Sequence, residues 1–455
     1  MMAWGDLSLA RALVLGLLTP LALAAGGSKD NADPPAGSKE GLAYEEIQKT
    51  QIYSDNSTAP SVPPVEVWWE SKICQGTYCI YTNRRIAKGR GLVAVTKYKD
   101  YQKIEQIENH ISSVENGFAA DPVPFAEAAE VAPNGGPGIV ANTTIKRGKP
   151  LMSWTPVLIV HKDVFADLRK SVRLRLLEKA VSFLPDETRE KFNRQRKSPS
   201  LGPGQGEKKD RTIDDILLAH PFEIDLGSGM RGEESGKHYV NYPEAAVFQH
   251  DCRPNVAFHI DNGLAHKTTV VRKTKPGEPL TIAYVDPLWP RKRRQDWVKK
   301  HRGLDKPCQC RACSGTHGDK KSGDDRLDEI MAIQAELKNH DSRKVDAQMI
   351  GRFVRLFEED RLQAKLADAY ELVATNYNYL GYDRLAKKYA DLAVQAGIIE
   401  NGPNFNDVVA MRIMASDVKG HWSYQFTLKR RGQVKTETME EAKDLPRGGL
   451  GMEVA

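Results

Sequence analysis

Gln249-His250-Asp251-Cys252-Arg253-Pro254-Asn255, "QHDCRPN", sets an amide and an imidazole beside a lone cysteine and closes on a rigid Pro-Asn step. Cysteine is scarce here, 6 in 455 residues, and the next after Cys252 come 56 residues later, in Cys308-Gln309-Cys310-Arg311-Ala312-Cys313. Together these four thiols meet the donor count of a tetrahedral zinc site, which would close a long loop. Four unrelated thiols, or disulfides, are the competing readings, although Cys308 and Cys310 are poorly placed to pair with each other.

Outward from the heptad the sequence reads as short strands. "PFEIDL", "YVNYPEAAVF", "VAFHID", "HKTTVV" and "PLTIAYVD" are β-branched or aromatic runs broken by turn residues. Further upstream, "GPGIVANTTIKRGKPLMSWTPVLIV" gives more short strands split by glycines, opening on Gly136-Pro137-Gly138. Apolar residues recur at helical spacing from Asp163 to about Leu184, where Pro185 stops the run. "RKSPSLGPGQGEKKDR", about residues 196–211, reads as a surface insertion without chemistry. Residues 65–121 form a β-rich and helical region with the close pair Cys74 and Cys79, a disulfide candidate in a secreted chain and two buried thiols in a cytosolic one. The sequon Asn142-Thr143-Thr144 lies between two strands, a structural position where glycosylation is not expected.

Residues 286–321 carry eleven Lys or Arg against four Asp or Glu, with "RKRR" at Arg291 to Arg294. Such a run binds nucleic acid, serves as a nuclear address or forms the solvated face of a helix. "PRKRRQDWVKKH" favours the last, a helix with Trp297 and Val298 inward, so no direct contact with nucleic acid is expected. Residues 323–417 are helical, and Tyr370, Ala374, Tyr377, Gly381, Ala386, Ala390 and Ala393 fall at the spacings of one tetratricopeptide-like hairpin. A single unit is too little for a solenoid, so it is expected to pack on the main domain. The tail, 418–455, is polar and uninformative.

At the amino terminus, the apolar run Ala12–Ala25 after Arg11, with Ala22-Leu23-Ala24 near its end, predicts a signal peptide over 1–24 and hence a secretory route. A buried helix or an uncleaved anchor is the alternative, and without the leader the chain would stay in the nucleus or cytoplasm. Residues 25–64 read as a linker, with a sequon at Asn56. No later stretch is long and apolar enough to suggest a membrane span.

Three motifs in order, Gly136-Pro137-Gly138, "QHDCRPN", and "PLTIAYVD" followed by C-x-C-x2-C, resemble the SET-domain protein-lysine methyltransferases over about residues 122–313. The helical carboxy-terminal region resembles that of the SMYD branch and its fungal relatives. The resemblance implies an α+β, β-rich SET fold of small sheets over 122–285, with a pseudoknot-like crossing. A zinc-binding post-SET segment would follow at 286–316, then the helical region. It further implies S-adenosylmethionine as methyl donor, held at Gly136, Pro137, Gly138, Gln249 and His250, with Tyr284 as catalytic tyrosine. Structural zinc on Cys252, Cys308, Cys310 and Cys313, a lysine-bearing protein or peptide as substrate, and a monomer complete the expectation. Two departures stand out. Gln249 occupies the place of the family's asparagine and adds a methylene to an amide meant to read adenine at fixed reach. "GLDKP" stands where an aromatic often precedes the first cluster cysteine. The alternative function is therefore a catalytically inactive SET-fold module that binds a peptide or partner, secreted or intracellular.

Overall fold

The computed structural model describes residues 68–132, 136–197, 212–219, 222–227, 236–302, 307–315 and 317–432. The leader, the linker with Asn56, nearly all of the 196–211 insertion and the tail beyond 432 lie outside the described residues.

Fourteen strands make four small sheets among the described residues. The largest runs β1 (Trp69–Gln75), β2 (Tyr78–Asn83), β3 (Leu92–Thr96), β8 (Leu158–His161), β10 (Lys237–Asn241), β9 (Phe222–Asp225). All pairs in it are antiparallel except β3 with β8. β3, "LVAVT", is buried at every residue, as a central strand covered on both faces must be. Val93 and Val95 face a core with Leu176, Leu177 and Ala180 of the helix Lys170–Ser182. Leu92 and Ala94 face the opposite core, with Tyr101 and Ile104 of the helix Tyr98–Gln106. The β1–β2 hairpin is closed by a disulfide between Cys74 and Cys79, which are direct cross-strand partners.

The second sheet, β12 (Val256–Ile260), β13 (His266–Val270), β7 (Pro150–Trp154) and β4 (Gly117–Phe118), is wholly antiparallel. β5 (Phe125–Ala128) pairs with β6 (Gly138–Ala141). The last pair is β11 (Gln249–His250) with β14 (Thr281–Ile282), parallel, so the chain crosses back beside the "QHDCRPN" heptad after the β12–β13 excursion. This α+β arrangement of small sheets with a late parallel crossing is the fold expected from the sequence.

After the crossing come helices. Leu366–Tyr379 and Asp383–Glu400 form the expected hairpin, turning at Gly381 with φ +70°, where an added Cβ would also crowd Gln425 Cγ at 3.1 Å. Tyr370, Ala374, Tyr377, Ala386, Ala390 and Ala393 are buried in one core. That core also takes residues from His317–Lys338, Ala347–Glu359 and Asn406–Ser416, so the hairpin is the centre of a larger helical layer. No described helix is long and apolar enough to cross a membrane.

Two local expectations change. Arg291–Arg302 is a helix with Val298 inward as expected, but Arg294 of the basic run is also buried, at 2% exposure, while Lys292 and Arg293 are exposed. A charge pattern alone cannot show that one of four successive cations faces a buried partner. Asn142 lies at an exposed position just past β6, not at a covered structural one.

Candidate active site and cysteine cluster

The parallel β11–β14 pair brings the separate motifs together, with Gln249 opposite Thr281 and His250 opposite Ile282. Tyr284 then sits two residues beyond β14, beside the heptad. Asn255 locks the crossing: its Oδ1 accepts from Thr281 N at 2.8 Å and its Nδ2 donates to Pro279 O at 2.7 Å. Asn255 is buried, so these bonds satisfy an amide that would otherwise be costly to hide.

Gln249 reaches across to the glycine turn. Its Nε2 donates to Gly136 O and Pro137 O, each at 3.0 Å. Gly136 has φ +81°, and a Cβ on Gly138 would stand 3.0 Å from Val131 Cγ2 and 3.1 Å from Gln249 Cγ. A side chain at Gly136 would be strained by that backbone angle, and one at Gly138 would need Val131 and Gln249 to give way by a few tenths of an ångström. The amide expected to read adenine thus has its donor hydrogens engaged in tying the turn to β11.

His250 is buried and stacks on Tyr284, ring centroids 5.1 Å apart at 26°. Its Nδ1 accepts from Tyr284 N at 3.1 Å, which leaves the ring proton on Nε2, 3.3 Å from Cys252 Sγ. His250 is thus a spacer between the tyrosine and the cysteine cluster. The Tyr284 hydroxyl donates to the Phe248 carbonyl. A phenolic oxygen that donates its proton can also accept an N–H.

Cys252, Cys308, Cys310 and Cys313 are all buried, and their sulfurs lie within 4.8 Å of one another. Four thiolates around one zinc ion at about 2.3 Å would stand about 3.8 Å apart. The Cys252–Cys313 separation is 3.6 Å, and Cys310 N points at Cys308 Sγ at 3.5 Å, so the donor set fits that ion. Hydrogen bonds from Cys308, Cys310 and Cys313 hold the Cys252 thiol well below the ordinary range. Bonding to Cys252 pushes Cys308 and Cys310 up. Cys313 is lowered as well, so without a cation only two of the four sulfurs readily carry charge, and a dication would let all four do so.

Arg294 is the residue beside the cluster that sequence reasoning missed. Its guanidinium donates to Trp289 O and lies against Cys252 and Cys313. Burial opposes its charge, but the charge on those two sulfurs outweighs that and raises its pKa. A four-thiolate zinc centre carries a net double negative charge, and a buried guanidinium offsets part of it. Burial also raises Asp251, whose Oδ1 accepts from Arg253 N at 2.8 Å.

The SET domain family matches residues 136–285. A SET domain-containing protein of Acanthamoeba polyphaga mimivirus is 30% identical over 201 residues, covering 39% of this chain and 71% of that protein. The chain belongs to the SET-domain family. Human N-lysine methyltransferase SMYD2 is 30% identical over 109 residues, which is 24% of this chain and 21% of SMYD2, so the match spans about a fifth of that relative. Among solved structures, the SET domain of LSMT bound to lysine and AdoHcy aligns over 72% of this chain and 90% of that one, at 12% identity and a TM-score of 0.24. Rubisco LSMT bound to AdoMet gives 14% identity and a TM-score of 0.25, over 74% of this chain and 97% of that one.

Proposed function

We propose that this protein transfers a methyl group from S-adenosylmethionine to the ε-amine of a lysine in a protein or peptide. The observation that carries the reading is the meeting of the Gly136–Gly138 turn, β11 and Tyr284, joined by the Gln249 and His250 hydrogen bonds. The N-lysine methyltransferase activity in the name of SMYD2 supports it.

When bound, the donor supplies an electrophilic methyl on a sulfonium, and the protein must present a neutral amine in line with it. Neutralising a lysine of reference pKa ~10.4 at pH 7 costs about 4.6 kcal/mol, and burial among apolar walls lowers that figure. The half-buried Tyr284, with its own proton given to Phe248 O, offers its oxygen to an amine N–H and so fixes the direction of the nitrogen lone pair. This is catalysis by orientation and electrostatics, without a covalent enzyme intermediate. Gln249, His250 and the glycine turn would form the donor pocket. The Gln249 carbonyl oxygen is the atom chemically matched to adenine's exocyclic amine. Cys252, Cys308, Cys310 and Cys313 would hold structural zinc, closed to substrate because all four positions are protein sulfurs.

Tyr284→Phe tests the reading, since it removes one hydroxyl and keeps the ring that stacks on His250. Donor affinity by calorimetry should stay nearly constant while transfer to peptide lysine falls by about 100-fold, the scale of one lost transition-state hydrogen bond. Undiminished turnover removes Tyr284 from the mechanism, and wild-type protein that binds no donor ends the enzyme reading. A partner-binding module without catalysis is the second reading, favoured by the engagement of both Gln249 amide hydrogens within the turn. The secretory route is proposed with it, supported by the Cys74–Cys79 disulfide. A mature amino terminus near Ala25 is expected, and an intact Met1 on a soluble intracellular chain would overturn it.

A further inference from the structure

Beneath the far end of the six-stranded sheet lies a second group of metal-binding side chains, none of which takes part in the site above. His161 ends β8 and His238 lies in β10, and the two are direct cross-strand partners. Their rings meet edge to face, centroids 4.8 Å apart. Asp100, in the first turn of the helix Tyr98–Gln106, drops onto them, its Oδ2 3.5 Å from His161 Nε2. All three residues are 0% exposed, and one donor atom from each lies within 4.8 Å of the other two.

Hydrogen bonds do not account for this arrangement. Both Asp100 carboxylate oxygens and His161 Nε2 are buried without a hydrogen-bond partner. The cation that approaches Asp100 from outside the histidine pair is Lys103, with Nζ 3.8 Å from Oδ1. Burial works against the Asp100 charge, and the His161 ring at 3.5 Å and Lys103 at 3.8 Å still hold its carboxyl below the ordinary range, but no donor approaches closer than that, so a buried charge is left without a short contact. We propose that Asp100, His161 and His238 bind a divalent transition-metal ion, zinc being the chemical match to two imidazoles and one carboxylate.

The surrounding bonds prepare the ligands. His238 Nδ1 lies 2.6 Å from Gly236 O and must donate to it, which leaves the lone pair on Nε2. Thr96 Oγ1 stands 2.6 Å from that Nε2, and its hydroxyl proton, which the lone pair accepts in the metal-free state, turns away on loading. His161 Nδ1 accepts from Asp163 N at 3.1 Å, so its ring proton sits on Nε2 in the metal-free state. Loading requires that proton on Nδ1, with Asp163 Oδ2, 3.7 Å away in the metal-free state, closing in to accept the N–H as the Asp163 amide turns away. No net proton is lost, and the carboxylate–histidine–metal pattern results. An ion held here would clamp β3, β8, β10 and the helix Tyr98–Gln106.

The test uses the untagged full chain, stripped of metal under reducing conditions and titrated with Co2+ followed by its absorption. Cobalt at a thiolate site shows intense sulfur-to-metal charge-transfer bands, whereas a nitrogen–oxygen site shows weaker d–d bands alone, so the two clusters are read separately. Wild-type protein should take one equivalent without sulfur bands, whatever the cysteine cluster does. Asp100→Asn should lose that equivalent and keep any sulfur bands, which also report that the variant is folded. Absence of the nitrogen–oxygen equivalent in the wild-type chain overturns the proposal. So does its persistence in a folded Asp100→Asn or His238→Gln variant, which would place the ion elsewhere.

Discussion

Position 249 turns on the length of one side chain. The two 3.0 Å bonds from Gln249 Nε2 to Gly136 O and Pro137 O need the full glutamine arm. One methylene less would withdraw the amide by about 1.5 Å, beyond hydrogen-bond reach. In the sequence, glutamine is an amide one methylene longer than the family's cofactor contact; its place in the fold gives it a partner in the turn. Gln249→Asn should therefore weaken donor binding about tenfold in a calorimetric titration, since one or two bonds of about 1 kcal/mol each are lost from the pocket wall. Tighter binding by the variant would mean that the longer arm obstructs the donor. The signal for Gln249 was legible in type and position, but its partner lies 113 residues away, a separation no local pattern encodes.

At the scale of elements, the crossing of β14 beside β11 converts the scattered cysteines into one cluster and couples it to Tyr284. Tyr284 N holds His250 Nδ1, His250 Nε2 meets Cys252 Sγ, and Arg294 braces Cys252 and Cys313 from the helix Arg291–Arg302. Under the proposed zinc assignment, Cys310→Ala removes one of four sulfur donors and should abolish zinc content by elemental analysis, with several kcal/mol of local stability, because metal binding and folding of the segment would be linked. Faster amide exchange should follow through 281–285, not only through 308–313. Exchange confined to 308–313 would show that the cluster does not support the tyrosine. The cysteine spacing announced this cluster in advance, since a C-x-C-x2-C run is a local pattern. Arg294 gave no such notice, because neighbouring cations in a helix point in different directions and sequence cannot choose among them. Asp100, His161 and His238 are quieter still, spread over three elements with no spacing to link them.

Across the whole molecule, the heptad that organises the site also fastens the helical layer. Arg253 Nε donates to Asp360 O at 2.7 Å and its guanidinium pairs with the Asp360 carboxylate, at the end of the helix Ala347–Glu359. Arg253 Nη1 also donates to Cys252 O at 2.6 Å and Pro287 O at 3.0 Å, while Arg326 Nη2 reaches Asp360 Oδ1 at 3.0 Å. Asp360 is 7% exposed, so the pair is shielded from the salt and water that weaken surface bridges. The helical periodicity of residues 366–400 was readable as amphipathic spacing, but how the layer docks was not, because it rests on contacts distant in sequence: an arginine and an aspartate 107 residues apart, beside the apolar packing of Ile399 on Ala257 and Val271. Removing the aspartate charge strands Arg253 in a dry interface, and breaking one side of a buried pair costs about 3–5 kcal/mol. Asp360→Asn should therefore lower unfolding stability by about that much, with the unfolding transition splitting in two as the helical layer releases before the sheets. Arg253 would keep its bonds to Cys252 O and Pro287 O but lose the charge partner that steadies its guanidinium there, so donor affinity should fall although Asp360 belongs to none of the pocket elements. A single transition with unchanged midpoint and donor affinity would show that the apolar contacts hold the layer alone, and that the heptad's arginine is incidental to the assembly.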